Sequence, residues 1–277
     1  MARPISDGIQ EDNVVPEQDN ANGLFDVGDP LIAAVNKFLT PRPSPLTPRD
    51  EDLLRQGTGL DLACGLAASS WGEGPTVLLA HGWNSRRTHW GAFINALVAA
   101  GFRAVAADAP AHGDSPGSQT NVFEYSQALV RVGEELGPLA GVIGHSFGAG
   151  AVAIALHRGL KADRAALISG PASMVSVIEG WGRHHQITEP EIPTFVRLVE
   201  RAVGTSIESL DVPRFAVGMT HPVLVVHDQG DEDIPVEDGL AVAAAWPGAR
   251  ALITQRYGHR RILLAKEVLS EVVAFLK

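Results

Sequence analysis

Two kinds of apolar pattern alternate along the chain. Short continuous apolar runs at residues 76–80, 103–107, 141–143, 165–168, 223–226 and 251–254, with a longer one over 60–68, are what strands buried on both faces look like. Between them, apolar residues recur at helical spacing. The segment 90–100 stops at Gly101, 123–136 at Gly137 and 236–246 at Pro247-Gly248, while 266–276 puts Leu269, Val272, Val273 and Leu276 on one face. Strands alternating with helices predict an α/β domain around a mostly parallel, doubly wound sheet.

One interval interrupts the alternation. Between Gly170 and His221 there is no strand pattern over about fifty residues, where a connection of about 2–6 is usual. Thr188-x-x-Glu191 and Thr205-x-x-Glu208 fit a helix capping box, and Ile192, Phe195, Val196, Val199, Ala202 and Val203 share a helical face. Pro193, awkward inside a helix, suits a helix start. The reading is a small helical cap over about 171–219, inserted after the sixth strand.

The N-terminal part differs again. Residues 1–30 carry seven acids and one base with few aromatics, too little apolar surface to offset the entropy of ordering. A short helix near 30–39 precedes Pro41, Pro43, Pro45 and Pro48. Residues 1–56 are therefore expected to be a flexible acidic arm and Pro-rich linker, with the folded domain at 57–277.

Charge and composition narrow the function. Twenty-two Lys and Arg against 32 Asp and Glu give a net charge of −10, unfavourable for nucleic acid or an anionic membrane surface. No apolar run approaches the ~18 residues of a membrane span, and no apolar stretch follows a basic start. The single Cys64 cannot close an intrachain bridge and is expected to be a free buried thiol, so nothing argues for an oxidising compartment and a cytoplasmic location is expected. There is no His-Glu-x-x-His run or Gly-rich phosphate cradle, so neither a metal nor a nucleotide cofactor is expected.

The chemistry concentrates at Gly144-His145-Ser146-Phe147-Gly148, between the 141–143 strand and a small-residue helix. Composition alone yields a bare G-x-S-x-G in about one such chain in six, so its place between strand and helix must carry the argument. There Ser146 would sit on a tight, strained turn with its hydroxyl above the sheet. A serine hydroxyl needs a base, and the base needs a carboxylate to hold its tautomer. Of ten histidines, His259 lies in a glycine-containing loop after the last strand, at the sheet edge where ligands bind. The loop after the preceding strand offers Asp228, Asp231 and Asp233. Asp228 stands where the strand ends, and Asp233 reads as a solvated turn residue. Asp108 also ends a strand.

Taken together, Gly144 to Gly148, His81-Gly82 and Gly258-His259 resemble the α/β-hydrolase superfamily over about residues 58–277, in the chain order serine, acid, histidine. The resemblance implies a sheet of about eight strands and, from Asp228-Gln-Gly-Asp231-Glu-Asp-Ile-Pro235 set against G-x-x-D-x-x-V-P, Asp231 as the acid. It likewise implies that His81-Gly82-Trp83-Asn84 is the oxyanion loop, with the backbone N–H groups of Trp83 and Phe147 as donors, leaving His81 a structural hydrogen bond. Asp108-Ala-Pro-Ala-His-Gly-Asp-Ser115 resembles the D-x-P-G-x-G-x-S loop, with Ala111 in place of glycine, and is expected to be scaffold.

The expected activity is hydrolysis of a small or medium apolar carboxylic ester through an acyl-enzyme on Ser146, with Asp231 and His259 completing the triad and no cofactor. A serine at this turn argues against the haloalkane and epoxide branches, which the resemblance associates with an aspartate nucleophile. Trp83, Phe147, Met174 and Trp181 are the expected substrate-binding side chains. Two alternatives share the fold: a cofactor-free perhydrolase or haloperoxidase, and a catalytically silent scaffold.

Overall fold

The computed structural model describes residues 29–277; the acidic stretch 1–28 lies outside the described residues. In chain order the elements are α1 (Pro30–Leu39), α2 (Pro48–Gln56), β1 (Thr58–Leu60), β2 (Ala68–Trp71), β3 (Thr76–Ala80), α3 (Gly91–Ala99), β4 (Arg103–Ala107), α4 (Val122–Leu136), β5 (Leu139–His145), α5 (Phe147–His157), β6 (Ala165–Ile168), α6 (Met174–His184), α7 (Ile192–Val203), α8 (Val212–Ala216), β7 (Val223–Asp228), α9 (Val236–Ala245), β8 (Arg250–Thr254), α10 (Gly258–Arg261) and α11 (Lys266–Leu276). The strands form one eight-stranded sheet in the order β1-β2-β4-β3-β5-β6-β7-β8. β1 and β2 pair antiparallel, and from β4 to β8 every pairing is parallel.

The continuous apolar runs are explained by layers on both faces. On β3, Leu78 and Ala80 join the core beneath α4 and α5, while Val77 and Leu79 join the opposite core with Trp90, Phe93 and α11. All four are fully buried, and each large aliphatic side chain so buried contributes roughly 1.5–3 kcal/mol. α5 is apolar all round because it is buried all round, and its alanines and glycines let it lie close to the sheet.

The cap falls where the pattern broke, between β6 and β7. α7 begins with Pro193 in its first turn and buries Ile192, Phe195 and Val199. These meet Met174 and Ile178 of α6 and, from outside the cap, Val35 and Leu39 of α1. The second capping-box sequence leads only into a 3-10 turn, Glu208–Leu210.

Three expectations are corrected. The apolar run 60–68 is not one strand: β1 ends at Leu60 and β2 begins at Ala68, with a turn between them closed by Gly65 N–H on Leu62 O at 2.8 Å. Its leucines, Leu62 and Leu66, are buried as loop residues. Cys64 in that turn is half-buried, its backbone N–H on Glu135. Residues 48–56, read as linker, form α2, because Pro48 occupies the first helical turn and Thr47 and Asp50 close a reciprocal capping box.

Candidate active site

β5 passes into α5 through a single residue, Ser146, at φ +54°, ψ −120°. A non-glycine residue held there stores about 1–3 kcal/mol of strain, so the surroundings must impose it. They do so by close approach. A β-carbon on Gly144 would stand 2.5 Å from Gly148 O, and one on Gly148 would collide with the Ala80 carbonyl oxygen. Ser146 N–H donates to Ile168 O at 2.9 Å, and Ser146 O accepts from Ala149 and Gly150 at 2.9 and 3.1 Å.

The loops after β7 and β8 bring Asp231 and His259 together, with Nδ1 of His259 2.8 Å from Oδ2 and 3.0 Å from Oδ1. Oδ1 also accepts the N–H groups of Asp233 and Ile234, at 3.0 and 2.9 Å. Nε2 of the buried His227 lies 3.5 Å from Oδ2. Burial by itself would raise the Asp231 pKa, but His227, His259 and the Ile234 amide outweigh it and hold the carboxyl well below its usual range. Asp231 is thus an anion at neutral pH, and it orients Nδ1–H of His259.

Asp228 has a different task. Its buried carboxylate accepts from Thr254 Oγ1 at 2.6 Å and from the N–H groups of Gly230, Arg256, Tyr257 and Gly258 at 2.9–3.0 Å, so it anchors the loop that carries His259. Burial opposes ionisation here too, but the Thr254 hydroxyl and these amides pull its pKa down to about 2. Asp233 is largely exposed, with Oδ2 4.0 Å from His259 Nε2.

His145 supports the same loop. Its Nε2 is 2.8 Å from His259 O. A carbonyl only accepts, so Nε2 carries the proton. Burial and the neighbouring His259 lower the His145 pKa to about 3, so the ring is neutral.

The loop after β3 approaches the same turn. A β-carbon on Gly82 would be 3.1 Å from His145 Nδ1 and 3.3 Å from Ser146 Cβ. The rings of Trp83 and Phe147 are 5.0 Å apart. Among the described residues neither the Trp83 nor the Phe147 N–H has an acceptor; Phe147 opens α5, whose first amides lack intrahelical partners. His81 is buried, donating from Nδ1 to Gly82 O at 2.8 Å and accepting Ala109 N–H on Nε2 at 2.9 Å, a structural arrangement. Asp108 is buried on the N–H and guanidinium of Arg87 and the N–H of Asp114, which makes its loop scaffold.

Ser146 lines two cavities of different character. One, of about 810 Å³, has a mixed wall, with His259, Arg260, Arg49 and His89 beside Leu53, Leu263 and Leu264. The other, of about 200 Å³, is apolar; Trp83, Phe147, Met174 and Trp181 all line it, as does Phe38. Phe38 was missed by sequence reasoning. The spacing of Leu31, Val35, Phe38 and Leu39 reveals an apolar face on α1, but not which distant helix covers it.

Ser146 and His259 thus share the larger cavity, although no hydrogen bond links their side chains; such bonds are often long without substrate. Among the described residues, no group of three or more His, Cys, Asp or Glu side chains is arranged to hold a metal ion, and no helix is long and apolar enough to cross a membrane.

Comparison with known proteins agrees with this architecture. No match is found among the curated proteins. Among solved structures, an esterase from Pyrococcus furiosus superposes with a TM-score of 0.65 at 20% identity, covering 86% of this chain and 97% of its own. An esterase from Exiguobacterium antarcticum gives 0.61 at 17% (79% and 99%), and a bromoperoxidase from Bacillus anthracis 0.60 at 17% (79% and 99%). At these identities the likeness concerns the fold. The alpha/beta hydrolase family profile matches residues 77–271, from β3 into α11. With that match spanning most of the chain and an eight-stranded sheet bearing a strained serine turn, the protein belongs to the α/β hydrolase family.

Proposed function

We propose that this hydrolase cleaves carboxylic esters with a small or medium apolar acyl group, through an acyl-enzyme on Ser146. The observation that carries the reading is the 2.8 Å contact between His259 Nδ1 and the buried Asp231 carboxylate, which leaves Nε2 for the cavity that Ser146 also lines. In the first half-reaction Nε2 takes the Ser146 proton as Oγ attacks the ester carbonyl carbon. Asp231 stabilises the resulting imidazolium without taking its proton. The unclaimed N–H groups of Trp83 and Phe147 receive the negative oxygen, each contributing about 3–4 kcal/mol in a comparable serine enzyme. The imidazolium then protonates the departing alcohol. In the second half-reaction water, deprotonated by His259, attacks the acyl-enzyme, and the imidazolium returns that proton to Ser146 Oγ as the acid leaves.

A fluorophosphonate probe tests the nucleophile. Labelling is expected at Ser146, absent in Ser146→Ala and strongly reduced in His259→Ala. A wild type inert to the probe and to short-chain p-nitrophenyl esters makes the protein a silent scaffold. Peroxide-dependent bromination that exceeds ester hydrolysis reassigns it to the perhydrolase class.

A further inference from the structure

The smaller of the two cavities at Ser146 is lined in part by a side chain that precedes the family-matched region. Phe38, on α1, lines it with its ring edge-on to Trp181 and Phe195, at centroid distances of 5.3 and 6.2 Å. α1 is fastened there. Val35 and Leu39 are buried in the cap core, and Leu39 O accepts Thr120 N–H at 2.9 Å. Farther along, Arg42 N–H donates to Asn84 Oδ1 at 2.6 Å, and the Arg86 guanidinium donates to Ser44 O at 2.8 Å. Residues 38–44 therefore run as a strap from the cavity wall to the loop that holds Trp83.

Building on the hydrolase reading above, we propose that this strap determines substrate specificity: Phe38 bounds the acyl compartment and limits it to a chain of about eight carbons. The size follows from volume. A cavity of about 150 Å³ holds benzene, or about 25 Å³ per carbon, so about 200 Å³ holds about eight. The character follows from the walls. Most of the wall, Phe38, Met174, Ile178 and Val199 among it, offers a polar acyl substituent no compensating hydrogen bond, so its desolvation opposes binding there; besides Ser146, Thr120 and Asn121 are the polar exceptions.

The test is a p-nitrophenyl ester series from acetate to laurate, read as kcat/KM, on wild type, Phe38→Ala, Phe38→Leu and Phe38→Trp. Wild type should peak at octanoate, at least about tenfold above acetate and laurate. Phe38→Ala should move the peak about two to four carbons longer and raise the laurate-to-octanoate ratio about tenfold; Phe38→Leu should move it less, and Phe38→Trp should move it to hexanoate or shorter. A wild-type peak at acetate overturns the proposal. So does an unchanged profile in a variant that melts cooperatively and is labelled by fluorophosphonate. Calorimetric binding of octanoate and laurate to Ser146→Ala, with and without Phe38→Ala, reads the same wall without turnover. Missing probe labelling together with a chain-length shift in binding removes the serine chemistry and leaves the strap; normal labelling with no shift does the reverse.

Discussion

The sheet edge that carries Ser146 and the layer of cap and strap above it are held by different forces. At the edge, conformations that the backbone resists are imposed by hydrogen bonds and close contact: Ser146 at φ +54°, Asp231 on two amides and the His259 imidazole, Asp228 on five donors. In the upper layer Phe195 and Val199 are fully buried and Met174 nearly so, with apolar packing as the principal restraint. Groups that must meet within tenths of an ångström need directional bonds, whereas a compartment that selects by size needs only volume and apolar walls. The reacting groups of the edge should therefore lose rate before stability when altered, and the layer stability and selectivity before rate.

The largest effect should come from Asp231→Asn. Loss of the oriented imidazole should lower kcat/KM about 10⁴-fold. Asp228→Asn, three residues away, should do the opposite in kind: a smaller rate loss and a lower melting temperature, because an amide nitrogen would face donors. An activity loss in Asp228→Asn equal to that of Asp231→Asn would erase the division of labour between the two carboxylates.

Next in size, Phe195→Ala should destabilise by about 3–5 kcal/mol through the cavity it leaves in the cap, measured by denaturant unfolding. Acetyl ester hydrolysis should fall by less than about tenfold. A loss as deep as that of Asp231→Asn would mean that cap packing sets the catalytic geometry, and the two regions would no longer be separable.

These contrasts also account for what was legible in the sequence. β3, β4, β6 and α11 have the bounds their patterns predict, because burial on two faces leaves an unbroken apolar run and burial on one helical face leaves a 3.6-residue period. Ser146 and His259 could be singled out as candidates because the turn and the strand ends leave marks on the sequence, whereas Asp231 came only from the likeness of its loop to G-x-x-D-x-x-V-P. Leu62 and Leu66 misled because a buried loop is as apolar as a strand. Phe38 was invisible because its role depends on α7 and Trp181, more than 140 residues away, and α2 because proline signals both a linker and a helix's first turn. The tasks of Asp228 and Asp231 separate only once the amides around each carboxylate are known.

A weaker test reads Asp228 through pH. Its folded pKa of about 2 lies below the ordinary 3.8, so its contribution to stability is present above about pH 4 and disappears as pH falls through about 2. Wild type should lose melting temperature over that interval, and Asp228→Asn, already destabilised, should lose less. Equal acid slopes would show that the carboxylate's hydrogen bonds add nothing to the folded state.

The smallest effect is expected at Ala111, which holds φ +60° where the related loop motif has glycine. Its β-carbon costs about 1–2 kcal/mol in the left-handed region. Ala111→Gly removes that strain but gives the unfolded chain freedom worth about 0.4–1 kcal/mol, so at the middle of both ranges the net gain is about 1 kcal/mol. For a chain of this size that is a rise of roughly 2–4 °C. The loop's bonds, Ala111 N–H to Pro116 O at 2.9 Å and His112 N–H to Ala109 O at 3.0 Å, should survive the change, since they are made by the backbone. A fall of several degrees would instead mean that the methyl group packs the loop in place, and that even this edge, bonded as it is, leans on apolar contact in the way the cap does.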